Sequence, residues 1–262
     1  MRVEFTPEGI FLPQIRLWLD AAHDSETAWI SHAHRAARGR VIATPETATL
    51  CRVQAFLPLA YGESAEWNGA RLTAYPSGHM PGAAQLLIEY EGERVCYTGH
   101  VKLRPPLAGA PYKAVPCDRL IIEAAFGLPI FHFLSREQAR VRIEQFAEEC
   151  FEQKLKPLFL FDCPGPHGTV AGFGIPPQAA VAQRGRRAGK GFRAAYISGH
   201  AALDNARARA NAEELIPYSA HADFEELLAI VAASGAGEVH AFDGHAEEFA
   251  HILRQRGIRA GV

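Results

Sequence analysis

Histidines in four separate loop segments are the residues of this sequence best suited to chemistry. Each segment follows an apolar stretch typical of a strand, and loops at strand ends are where α/β folds gather functional groups. The segments are SHAHRAARG with His32 and His34, PSGHMPGAAQ with His79, CYTGHVKL with His100, and PYSAHADF with His221. Residues two apart in an extended segment point the same way, so His32 and His34 can reach one ion. Alone, a His-x-His pair is also typical of two surface or capping histidines.

The sequence around these loops predicts alternating strands and helices. Thr44 before Pro45 predicts a helix start, with Ala48, Cys51 and Phe56 as its apolar positions. The segments QLLIEY and RVCYTG, joined at EGE, predict a hairpin, and DRLIIEAAFG is apolar enough for a central strand. The clearest helix runs from Ser135 to Leu155, where Ser135 and Gln138 form a capping-box pattern. Strands followed by strand–helix repeats predict an α/β fold.

Composition narrows the class of protein. The chain has 262 residues, enough for one α/β domain or a domain with a small insertion. Its net charge of -2 excludes an overall basic field, so nucleic acid would have to bind at a local patch. We find no signal peptide and no apolar run of about 18 residues that would span a membrane. Five scattered cysteines without a CxxC pair predict reduced thiols in a cytoplasmic protein.

The order of the motifs along the chain resembles a known family. SHAH, SGH before a glycine-rich turn, YTG after a hairpin, LIIEAAFG and SAHADF are together similar to the β-CASP branch of the metallo-β-lactamase fold. That branch contains the ligase-associated DNA exonucleases of bacteria and the RNA 3′-end processing endonucleases. The resemblance runs from about Phe11 to the C-terminus and is weakest between Cys163 and Arg193. It implies an αββα sandwich and a nuclease-like metallo-hydrolase.

Five residues match motif positions to which the family assigns a role. His32, His34 and His79 match ligands of the first metal, so the resemblance implies one zinc ion with an open position. Glu123 matches the family's acidic residue, and His221 matches the histidine proposed as general acid. Glu123 and His221 either form a carboxylate–imidazole pair that orients the ring for proton donation, or Glu123 merely ties loops together.

Other motif positions depart from the family. Ala36 and Ala37 stand where the first loop usually has Asp and His, and His100 stands where a bridging aspartate is expected. Asp243, near His245, takes the place of the last family histidine and is a further candidate catalytic residue. Two divalent ions repel each other unless carboxylates bridge and neutralise them, so a two-metal centre is not expected. His100 either adds a fourth nitrogen or hydrogen-bonds a bound water. Alternatively, the histidines are metal-free polar packing.

The family inserts a cap domain that clamps nucleic acid between the residues matched by Glu123 and His221. Here that interval is short. We therefore expect a single domain over residues 1–262 with a reduced or absent cap, and a Gly/Pro-rich, basic insertion over about 163–193 in its place. The segment GRRAGKGFR could contact phosphates, although a solvated loop is the simpler interpretation.

Two functions follow from these residues. The chain is either a hydrolase, in which one metal activates water and His221 assists the leaving group of a phosphodiester or related ester, or an inactive relative. An inactive relative would bind nucleic acid or an active homologous partner. A third, weaker alternative is a different reaction at a remodelled site with one metal.

Overall fold

The computed structural model describes residues 1–21, 26–33, 39–162, 173 and 175–262. The chain divides into two compact units, residues 1–127 with 226–262 (the first unit) and residues 128–225 (the second unit). The second unit begins at residue 128, before the insertion predicted over about 163–193. Compact units can still form one domain, so the single domain over 1–262 stays a prediction.

Strands predominate over helices in the first half of the described chain, and strands and helices alternate in the second half. The strands are β1 (Glu4–Thr6), β2 (Gly9–Leu12), β3 (Leu17–Leu19), β4 (Thr27–Trp29), β5 (Arg40–Ala43), β6 (Leu57–Pro58), β7 (Ser64–Trp67), β8 (Ala70–Pro76), β9 (Ala84–Tyr90), β10 (Glu93–Tyr97), β11 (Arg119–Glu123), β12 (Lys156–Phe161), β13 (Ala180–Gln183), β14 (Phe192–Ser198), β15 (Glu214–Pro217), β16 (Glu238–Phe242) and β17 (Ala260–Gly261). The α-helices are α1 (Pro45–Cys51), α2 (Arg136–Glu152), α3 (Ala206–Ala210), α4 (Phe224–Ser234) and α5 (Ala246–Gln255), and Gly199–Ala202 form a 3-10 helix.

Two mixed sheets of the first unit enclose its main core. One sheet has the order β1-β2-β3-β4-β5-β6, and the other has the order β17-β16-β11-β10-β9-β8-β7. Leu17 and Trp29 of the first sheet pack with Leu72, Leu86 and Ile88 of the second in one buried cluster. Helix α5 packs against β16 and β17 of the second sheet. This arrangement confirms the predicted α/β fold of the metallo-β-lactamase type.

The second unit has its own parallel sheet, in the order β13-β12-β14-β15. Its core contains Leu158, Leu160 and Tyr196, and the ring of Phe146 on α2 packs edge-on against Phe159. The interval that looked short in the sequence therefore holds a compact α/β unit, and the reduced or absent cap stays a prediction.

Two further expectations concern the environment of the chain. The four cysteines among the described residues are free thiols, and Cys163 lies outside those residues. No helix in the described part of the chain has both the length and the apolarity that crossing a bilayer requires.

Candidate metal centre

Three histidines of the first unit converge at the ends of its strands. His32 follows β4, His79 follows β8 and His100 follows β10. One nitrogen of each ring lies within 4.8 Å of a nitrogen of each of the others. The ring centroids of His32 and His100 are 4.2 Å apart, and His79 stands nearly perpendicular to both rings at 5.0 and 5.2 Å. His32 and His79 are buried, whereas His100 is partly exposed.

Glycines immediately before two of these histidines fix the loop paths. Gly78 has a φ of +77°, and a Cβ there would lie 2.1 Å from the carbonyl oxygen of Lys102. Gly99 has a φ of +56°, and a Cβ there would lie 2.5 Å from Cβ of Ser31. Only glycine tolerates both the left-handed conformation and the lack of space. The loop of Gly78 therefore touches the loop that carries Lys102, and the loop of Gly99 touches the loop that carries Ser31.

A chain of hydrogen bonds orients the ring of His32. The Ser31 hydroxyl donates to Oδ2 of Asp20 at 2.5 Å and lies 2.8 Å from Nδ1 of His32. Because the hydroxyl proton is directed to Asp20, Nδ1–H of His32 is the donor to Ser31, which leaves Nε2 as the lone-pair nitrogen. Asp20 also accepts from the Ser31 backbone N–H at 2.7 Å and from the Tyr97 hydroxyl at 2.8 Å. Such partners of a metal-ligating histidine set its tautomer and orientation.

Two carboxylates border the histidines. Asp243, just after β16, places Oδ2 3.5 Å from Nε2 of His100. Glu123, the last residue of β11, is buried, and its Oε1 accepts from the Val101 backbone N–H at 2.6 Å. Glu123 therefore anchors the loop that carries His100.

A buried ion pair anchors the same loop from its other side. Nζ of Lys102 donates to Glu226 at 2.8 Å, and both side chains are less than 5% exposed (2% and 4%). The backbone N–H of Arg104 also donates to Glu226, at 2.6 Å. A buried pair without such additional hydrogen bonds would not offset its loss of hydration.

Not every predicted site residue belongs to this group. His34 lies outside the described residues, as do Ala36 and Ala37. His221 belongs to the second unit, so its pairing with Glu123 stays a prediction. Sequence reasoning missed Asp20, Ser31 and Tyr97. The polar Asp20 directly after the apolar strand LWL was the available indication of a role at a strand end.

The second unit has a separate polar cluster around Asp162, also at strand ends. Asp162 follows β12 and accepts from the Tyr196 hydroxyl at 2.6 Å and from the Ser198 hydroxyl. Nε of Arg184 lies 3.4 Å and Nδ1 of His200 lies 3.5 Å from the carboxylate. Burial raises the pKa of Asp162, but the hydrogen bonds from His200, Ser198 and Tyr196 and the charge of Arg184 outweigh it and lower the pKa to about 2. Burial and the hydrogen bond to Asp162 raise the pKa of Tyr196 to about 12.

The sequence of this chain is similar to those of several known proteins. A probable DNA ligase of Opitutus terrae is 28% identical over an alignment covering 96% of this chain. The cleavage and polyadenylation specificity factor subunit 3 of Dictyostelium discoideum is 36% identical over 72 residues, 27% of this chain. Endoribonuclease YSH1 of Eremothecium gossypii is 38% identical over 69 residues, 26% of this chain. These matches support homology of this chain to the β-CASP and ligase-associated nucleases of the metallo-β-lactamase fold.

The similar proteins are much longer than this chain. It spans 30% of the probable DNA ligase and 9% of each of the other two proteins. No protein-family model matches the chain. Among solved structures, a protein of unknown function from Enterococcus faecalis aligns with a TM-score of 0.50 and 12% identity, over 90% of this chain and 78% of that one. That similarity concerns the fold alone.

Proposed function

We propose that the chain is a hydrolase of phosphodiester or related ester bonds that uses one zinc ion bound by His32, His79 and His100. The observation that carries this proposal is the convergence of three ring nitrogens within 4.8 Å of one another in the first unit. His34 is a further proposed ligand, from its motif position. Nucleic acid is the proposed substrate, because the similar proteins include an endoribonuclease and a probable DNA ligase.

The donor set fits zinc. Neutral imidazole nitrogen is a preferred zinc ligand, and catalytic zinc sites combine three protein ligands with an open position. Zinc–nitrogen bonds of about 2.0–2.1 Å set tetrahedral ligands about 3.4 Å apart, which the three rings can reach by small side-chain movements. Of the two nearby carboxylates, Glu123 is bound to the Val101 backbone, so one ion fits this site better than two.

The roles of individual side chains follow from their contacts. A zinc ion with an open position polarises a phosphoryl oxygen and acidifies water. Asp20, through Ser31, holds His32 in the tautomer whose Nε2 can ligate. Glu123 fixes the His100 loop through Val101. His221 is proposed to donate a proton to the leaving oxygen, as its motif position implies.

We expect this hydrolase to be slow. Ala36 cannot accept a proton or coordinate, and His100 cannot bridge two ions as an aspartate does. A second ion would stabilise charge on the transition state and help to clamp the substrate. Each effect contributes several kcal/mol, so we expect the loss of both to lower the rate by several orders of magnitude.

The test combines metal analysis with nuclease assays. We expect about one equivalent of zinc in the purified protein and slow cleavage of DNA or RNA, single- or double-stranded, with added Zn²⁺ or Mn²⁺. His79→Ala should remove both. The combined variant Ala36→Asp, Ala37→His and His100→Asp should accelerate cleavage, because it restores the missing ligands. Zinc content that is unchanged by His79→Ala would contradict the assignment.

One contact favours a second candidate function, an inactive relative that binds nucleic acid or an active homologous subunit. Asp243 lies 3.5 Å from Nε2 of His100, and a contact of this carboxylate with the ring nitrogen competes with ligation of a cation. In that case the purified protein contains no zinc and no condition yields cleavage, whereas nucleic acid or the partner still binds.

A further inference from the structure

The basic segment from Arg184 to Arg193, which includes the loop between β13 and β14 and the start of β14, contains two kinds of arginine. Arg184 lies 3.4 Å from Asp162, and Arg193 pairs with Glu213 at 2.9 Å and with Glu149 at 3.4 Å. Arg186 and Arg187 are exposed, and neither forms an ion pair with another described residue. Arg184 and Arg193 therefore stabilise the second unit, while Arg186 and Arg187 remain available to a ligand.

Arg186 and Arg187 border a groove that lies wholly within the second unit. Its volume is about 290 Å³, and its wall is formed by the small or apolar side chains of β12, β13 and β14. These side chains are Leu158, Ala180, Val181, Ala182 and Phe192. Among the described lining residues none is acidic, so the two guanidinium groups give the groove a net positive charge.

We propose that this groove binds one nucleotide of a single-stranded nucleic acid, with the base against Phe192 and the phosphate at Arg186 and Arg187. The inference rests on the proposed function for the class of ligand and adds a binding site away from the histidines. A planar base suits a groove lined by a ring and small side chains, and arginine binds phosphate through two parallel hydrogen bonds. Ligand pockets of a few hundred cubic ångströms hold groups of this size.

The shape of the groove favours a single strand over a duplex. A base must be unstacked before it can lie against a side-chain ring, and single strands meet that condition without breaking base pairs. The charge favours a nucleotide over an uncharged apolar peptide, because burying a peptide beside two unpaired guanidinium groups would strip their hydration without replacing it.

The test measures binding without cleavage. A labelled oligothymidylate of about 15 nucleotides is titrated with the full chain in chelator, and anisotropy is recorded over a range of salt concentrations. The variant Arg186→Ala/Arg187→Ala should weaken binding about tenfold and lower the slope of log K against log salt by about 0.7, the value for one phosphate of a single strand. Phe192→Leu, which keeps an apolar side chain of similar size, should weaken binding about fivefold.

The matched control is Arg207→Ala/Arg209→Ala, which removes the same charge from α3 of the same unit. Equal weakening by both double variants would overturn the proposal, because binding would then follow net charge alone. Unchanged affinity in the Arg186 and Arg187 variant would also overturn it. Thymidine monophosphate in place of the oligonucleotide distinguishes a free mononucleotide from a strand. Binding of the monophosphate as tight as that of the oligonucleotide would overturn the proposed single-strand site.

The outcomes also separate this site from the proposed function. If His79→Ala abolishes cleavage but the groove variants bind normally, the proposed hydrolase is supported and the groove site is wrong. If the groove variants bind weakly but no condition yields cleavage, the groove site is supported and the proposed hydrolase is wrong.

Discussion

The histidine cluster of the first unit and the Asp162 cluster of the second lie at similar places, where strands end, yet their chemistry differs. Asp162 is surrounded by hydroxyl, imidazole and guanidinium groups, so donors and acceptor satisfy one another within the cluster. In the first unit three imidazoles direct ring nitrogens at one another, an arrangement that suits a cation. A strand-end position collects polar groups, and the balance of donors and acceptors decides whether they need a ligand.

The largest expected effect separates the two clusters by metal content. His32→Ala should reduce bound zinc from about one equivalent to none measurable, because three protein ligands are the usual minimum for a catalytic site. His200→Ala in the Asp162 cluster is the matched control and should leave zinc content unchanged, as measured by elemental analysis of the purified proteins. Loss of zinc in the His200 variant would mean that zinc binds at the Asp162 cluster and not at the histidines of the first unit.

The next largest effect concerns stability of the first unit. Glu226→Leu should lower the free energy of unfolding by about 3–5 kcal/mol, because it leaves the Lys102 charge buried without its partner. The double variant Lys102→Met/Glu226→Leu should recover most of this loss. Urea denaturation measures both variants, and a single variant as stable as the double one would show that the charge is not the cause.

A third experiment tests how the first unit orients its histidines. Asp20→Asn should weaken zinc binding about 10–100-fold without unfolding the protein, because it perturbs the partners that set the His32 tautomer. Competition with a fluorescent zinc chelator gives the affinity. Asp162→Asn serves as control, and equal weakening in that variant would argue against a specific link through Ser31.

The smallest effect is the pH dependence of the Asp162 cluster. Since its pKa is lowered from 3.8 to about 2, the carboxylate stabilises the fold above about pH 4, and this contribution is lost as the pH falls through 2. Asp162 is 38% exposed, so solvent screening reduces the contribution to about 1 kcal/mol.

Asp162→Asn should therefore be about 1 kcal/mol less stable than the natural sequence at neutral pH, with the difference vanishing near pH 2. Denaturant titrations at several pH values measure the difference. A difference that stays constant with pH would show that the loss comes from packing and not from ionisation.

Local elements of the fold could be predicted from sequence. Ser135 and Gln138 form the predicted capping box at the start of α2, and the helix buries Ile143 and Phe146 as its periodicity indicates. The EGE segment forms the predicted hairpin, with Glu91 and Gly92 both in the left-handed conformation. These features depend on residues a few positions apart, which patterns of spacing detect.

Phe56 shows where local spacing fails. It was predicted as an apolar position of the helix that starts after Thr44, but α1 ends at Cys51 and Arg52 takes a left-handed conformation. Phe56 is exposed, and Cζ of the Arg40 guanidinium group lies 3.8 Å from the centroid of its ring. A long-range cation–π contact, not helical packing, explains its place.

The residues that orient the candidate site could not be predicted either, because their contacts join positions far apart in the sequence. The Tyr97 hydroxyl bonds Asp20 across 77 positions of sequence, and Lys102 pairs with Glu226 across 124. The histidines themselves could be found because each stands in a short motif. Nothing in the spacing of these supporting residues indicates which of them meet.

The two Gly-His pairs bear on how the site can change through evolution. The routes of these loops are dictated by Gly78 and Gly99, whose neighbours leave no room for a side chain, and not by the metal-binding groups that follow them. Ligands at the next position can therefore be exchanged while the backbone keeps its course. Exchange of the side chain at position 79 or 100 therefore requires no new course of the loop that carries it.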